Sequence, residues 1–136
     1  MALHPDFLAI MGKPVEADME IVQGDGGARL CTLRKRNTDG SFTPYDLSTY
    51  AFRLQVRADY QTATVLIAAA IAPTATLGQY SETWDPAQTA ALAAAAVGVD
   101  QPMAPIGVYD LDVSSAGETV TLKRGRVTLK RQVSRT

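Results

Sequence analysis

Apolar and polar residues alternate with a period of two through several short stretches of this chain, the pattern of strands with one buried face. In AFRLQVR, Phe52, Leu54 and Val56 share one face and Arg53, Gln55 and Arg57 the other. In VYDLDVS, Tyr109, Leu111 and Val113 oppose Asp110 and Asp112. Met19 and Ile21 share a face in DMEIVQ, and ARLCTLRKR (28–36) reads as a strand in which Cys31 and Leu33 fall out of phase with Leu30. ATVLIAAAIA and TATLGQYSETW predict two more strands, broken at Pro73. Turn signals separate the runs: QGDGG at 23–27, NTDG at 37–40 and SSAG at 114–117, the last closing a hairpin. About seven short strands at this spacing predict an all-β fold, a β-sandwich.

A helix interrupts the strands. Asp85 suits an N-cap, Pro86 the first helical position, and AQTAALAAAA has high helix propensity until Gly98 stops it. A second apolar cluster, Phe7, Leu8, Ile10 and Met11, lies between Pro5 and Gly12, in an N-terminal arm (1–16) ahead of a sandwich domain (17–136). So short a helix needs a docking surface. The expectation is that these four side chains dock on a neighbouring subunit or another protein; folding back over their own domain is the alternative.

VTLKRGRVTLKR carries Lys123, Arg124, Arg126, Lys130 and Arg131. Val120 and Leu122 share one face, and after Gly125 the parity flips to Val127 and Leu129. Gly125 therefore marks either a two-residue hairpin or a β-bulge in one bent strand. In both cases the cations point outward from a strand with an apolar inner face, as on a sheet edge protected by charge.

Composition narrows the function classes. The 136 residues are enough for one domain with a core, and 13 basic against 14 acidic residues leave no basic field for nucleic acid. No aromatics interleave with the C-terminal cations to stack bases, so no nucleic-acid partner is expected. The lone Cys31 excludes an internal disulfide, and the N-terminus lacks the pattern of a signal peptide. VLIAAAIA (65–72) is too short to span a bilayer, so a soluble protein without a membrane partner is expected. His4 has no nucleophile placed by a motif, one His and one Cys do not make a zinc site, and the glycines of QGDGGA lack a P-loop lysine. Asp110 and Asp112 read as a solvated strand face. The residues thus predict no catalytic site, no metal and no cofactor: not an enzyme.

Asp46-Leu47-Ser48-Thr49-Tyr50, Gln88-Thr89-Ala90-Ala91-Leu92, Tyr109-Asp110-Leu111 and Gly125-Arg126-Val127-Thr128 stand in an order and spacing, over about residues 18–135, similar to a family of tailed-phage structural modules. The chain resembles the N-terminal immunoglobulin-like domain of siphophage baseplate upper proteins and their small relatives from tail and neck gene clusters. It departs from them in the Ala-rich extension at 93–96, in VDQPMAPI (99–106) and in the N-terminal arm. The resemblance implies an immunoglobulin-like β-sandwich, a bent final strand at Gly125, and a virion part made in the host cytoplasm. That part would be a tail, baseplate or neck adaptor for fibres, a homo-oligomer in a symmetric assembly touching other phage virion proteins. Capsid decoration or head-fibre anchoring, and recognition of host carbohydrate with Trp84 as the first residue to test, are the alternatives. Arg53 and Arg57 are further expected to pair across strands with Asp110 and Asp112.

Overall fold

In a computed structural model, which describes residues 3–10, 12–92 and 103–130, the chain is predominantly β. The elements run α1 (Pro5–Leu8), β1 (Val15–Glu16), β2 (Met19–Val22), β3 (Gly27–Thr32), β4 (Arg34–Arg36), β5 (Phe42–Pro44), β6 (Ala51–Arg57), β7 (Ile67–Pro73), β8 (Gln79–Trp84), α2 (Pro86–Ala91), β9 (Met103–Ser115) and β10 (Glu118–Lys130). Eight strands form one curled sheet in the order β1-β10-β9-β6-β7-β8-β3, with β2 also on β10, and β4–β5 is a separate hairpin. The two short early strands β1 and β2 run parallel to β10; every other pairing is antiparallel.

The curl occurs in β7. Its first residues, Ile67 to Ala69, pair with β6, and Ala70 to Pro73 pair with β8. One strand thereby joins the two parts of the curled sheet. Their inner faces meet: Phe52 of β6 stacks on Tyr80 of β8 with ring centroids 5.0 Å apart. On a flat sheet two strands separated by a third would lie about 10 Å apart, too far for stacked rings.

The alternation read from the sequence fills this core. Leu54, Val56, Tyr109, Leu111, Val113, Val120, Leu122, Val127 and Leu129 are all buried in one cluster, with Phe52 packed at its margin. Leu54 faces Leu111 and Val56 faces Tyr109 across the β6–β9 pair. The β9–β10 hairpin turns at Ala116-Gly117, both in the left-handed region (φ 52° and 83°), as a tight two-residue turn requires. Asp85 caps α2 by accepting the Ala87 N–H at 2.8 Å. The predicted run of that helix to Gly98 lies, beyond Leu92, outside the described residues.

β10 is one continuous strand, and its irregularity is not where the glycine stands. The register slips between Thr121 and Lys123, so Leu122 is the extra residue and the parity has already changed when the chain reaches Gly125. Gly125 is buried, in phase with Val127 and Leu129. The outward Arg124 of β10 meets the acid of β1, its Nε 2.8 Å from Glu16, and Asp18, in the link between β1 and β2, accepts the Arg126 backbone N–H at 3.1 Å.

Arg53 forms the expected cross-strand pair with Asp112, at 2.9 Å. Arg57 does not pair with Asp110: Gln55 stands opposite Asp110, and Arg57 Nη2 donates to the Gln55 side-chain oxygen Oε1 at 2.8 Å. Burial, and then the charge of Asp112, raise the Asp110 carboxyl above its ordinary range, while Arg53 and Arg57 oppose the shift. A folded-state pKa above the unfolded one gives stability that is present below about pH 3.9 and lost as pH rises through the folded value. Asp110→Asn is therefore expected to raise the urea midpoint at pH 7, with the gain disappearing near pH 3. An equal difference at both pH values would contradict this.

Candidate interaction groove

β3 begins at a crowded corner. A Cβ on Gly26 would lie 2.5 Å from the Pro86 ring and 2.8 Å from the Trp84 carbonyl, so only glycine lets the chain pass under the start of α2. From there β3 pairs with β8 on one side, Gly27 opposite Trp84 through Thr32 opposite Gln79. Among the described residues nothing pairs with its other side. Five of its six residues are exposed, Leu30 at 62%. The phase conflict in the sequence resolves here: Leu30 points out, while Cys31, and Leu33 just beyond the strand, pack on the core.

The inner face of this pair holds a buried carboxylate. Glu82 is 3% exposed, and Arg29 Nη2 lies 3.1 and 3.0 Å from its two oxygens. The Trp84 indole N–H donates to the same group at 3.0 Å, and the Cys31 thiol stands 3.9 Å away. The hydrogen bond to Glu82 raises the Arg29 pKa, and burial pushes up the Tyr80 phenol. With donors on both oxygens, Glu82 is a brace between β3 and β8, as a buried charge must be. The sequence reading missed it, although Tyr80, Glu82 and Trp84 share one parity in QYSETW.

Along the free edge runs a groove of about 440 Å³. One wall is the continuous stretch Arg29 to Leu33; the floor is Tyr80, Leu111 and Leu122, and the far wall is Val15 and Lys123. A second hollow of about 240 Å³, lined by Gly27, Trp84 and Ile21 among others, shares Arg29 with it. Val15, 62% exposed, and Leu30 leave apolar surface on both sides.

The four arm residues lie elsewhere. Phe7 is buried in its own chain, its ring 4.8 Å from that of Tyr45 and 5.6 Å from that of Tyr50. Leu8 and Ile10 are half-buried against the same core, and Met11 lies outside the described residues. The Tyr50 hydroxyl accepts the His4 N–H at 2.7 Å, and the Tyr45 hydroxyl donates to Asp6 at 2.9 Å. Burial, with that bond to Asp6, pushes the Tyr45 phenol up to about 12. The arm thus folds back over its own domain, and Phe7 is not free for a neighbour. Aromatic partners at residues 45 and 50, far along the chain, hold it there. His4 caps α1 by accepting the Asp6 N–H on Nδ1 at 3.0 Å.

Trp84 is half-buried with its polar edge on Glu82. Among the described residues no three His, Cys, Asp or Glu side chains come together as a metal site, and no helix is long and apolar enough to cross a membrane. Neither protein-family models nor curated proteins match the chain.

Proposed function

We propose that this protein is a non-enzymatic bacteriophage virion component, an immunoglobulin-like β-sandwich that serves as an adaptor in the tail, baseplate or neck. The observation that carries the reading is where the family-like residues fall: Leu47, Thr89, Leu92, Tyr109, Leu111 and Gly125 among them are buried in the fold. Leu47 is 2% exposed beneath an Asx turn in which Asp46 accepts the Ser48 N–H at 3.0 Å. Thr89, fully buried, donates to the Asp25 carbonyl at 2.7 Å, and Leu92 closes the core under α2. Tyr109 and Leu111 are core, and Gly125 admits a neighbouring backbone.

The strand order supports the finer fold reading. β10, β9 and β6 follow one another as the G, F and C strands of such a sandwich do, β8 and β3 lie side by side in the other layer, and β7 crosses between the layers. Function in this reading is assembly: repeated copies and neighbours bury complementary surfaces, with no turnover. Mass spectrometry and cryo-electron microscopy of purified particles of the encoding phage test it. The expected result is this chain in symmetric copy number at the tail, baseplate or neck. Its absence from particles would overturn the reading, and density on the capsid would favour the decoration role instead.

A further inference from the structure

We propose that the groove beside β3 receives an extended, carboxylate-bearing segment of another protein, which adds to the sheet as a strand on the free edge Gly27–Thr32. The free edge offers unpaired backbone donors and acceptors, the element that strand addition uses, and alternate side chains of an added strand supply the specificity. Here the groove runs along the edge itself, since five consecutive β3-side residues line it. Side chains at every second position of an incoming strand would reach the apolar floor of Tyr80, Leu111 and Leu122.

Charge selects the occupant. Residues 27–36 carry Arg29, Arg34, Lys35 and Arg36 and no acid. Lys123 stands on the opposite wall with no ion-pair partner among the described residues. Glu82 is already matched by Arg29, and Glu16 by Arg124. A second copy of this chain would bring the same four cations to an edge that already has them. An acidic strand from a different protein places its carboxylates against Lys123 on the far wall instead, with the β4 cations just beyond the end of the groove, where Lys35 also reaches Asp6 at 4.0 Å. The inference goes beyond the virion reading and does not rest on it; each can fail alone, because this one is read on the isolated protein in solution.

The probe is a blocked peptide, Thr-Val-Glu-Val-Glu-Val-Thr, titrated into the labelled full chain and followed by amide NMR and hydrogen exchange. In the free protein the outward amides of residues 27–32 are expected to exchange freely. With peptide they become protected, and shifts centre on β3, Val15 and Lys123. Lysine in place of both glutamates is expected to weaken binding at least about tenfold, and backbone N-methylation to abolish it. Leu30→Glu, a change at an exposed position that leaves the fold intact by NMR, is expected to weaken the acidic peptide about tenfold. Four results would overturn the proposal: amides of β3 already protected in the free chain, no shifts at millimolar peptide, equal affinity for the lysine peptide, or shifts mapping to another face.

Discussion

Leu54→Ala and Leu111→Ala are each expected to lower unfolding free energy by about 2–5 kcal/mol, read from urea denaturation. The two residues are 2% and 3% exposed and stand directly opposite each other on the inner faces of β6 and β9. Truncation removes buried methyl groups and leaves a cavity in the middle of a paired sheet, where strands held by their own ladders cannot collapse to fill it. Because the two side chains touch one space, the double variant should depart from the sum of the singles. Losses below about half a kcal/mol at both sites would mean that this face is not the core.

Gly125→Ala is the second large effect expected, about 3 kcal/mol. A Cβ there would lie 2.1 Å from the Ala17 carbonyl oxygen and 2.6 Å from its carbon. Those are backbone atoms, held in turn: the Ala17 N–H donates to the Arg124 carbonyl at 2.9 Å, and the Tyr109 hydroxyl donates to the Ala17 carbonyl at 2.5 Å. The link between β1 and β2 must therefore shift off β10. Gly117→Ala is the comparison, because its Cβ meets nothing within 4 Å and only its φ of 83° opposes the change. That should cost about 1 kcal/mol. Hydrogen exchange at residues 19–22 should rise in Gly125→Ala alone. Equal losses for the two variants would refute the account.

Both sites illustrate what could be read in advance. The inner faces of β6, β9 and β10 were legible because side-chain direction in a strand has a period of two, a property of the local backbone. The Asp85 cap and the Ser114–Gly117 hairpin were legible for the same reason: each is a bond or a dihedral within a few residues. The Arg53–Asp112 pair followed once the two strands were taken as neighbours, but the companion pair at Arg57 failed. Register put Gln55, not Arg57, opposite Asp110.

The class of fold, predominantly β, and the apolar side of each long strand therefore follow from the order of residues alone. Pairings between distant strands depend on how the whole chain packs. The short strands β1 and β2 carry too few residues to announce a parallel seat on β10, and Gly125 looked like a bulge until the Ala17 backbone explained it. The arm carried the apolar pattern of a docking segment, yet whether its partner was its own chain depended on Tyr45 and Tyr50. The groove was invisible for the same physical reason. It is made by the edge of one strand and by residues of β1, β8, β9 and β10, most of them far along the chain, brought together by the curl at β7. An unpaired edge is a property of neighbours, and no single stretch of sequence contains it.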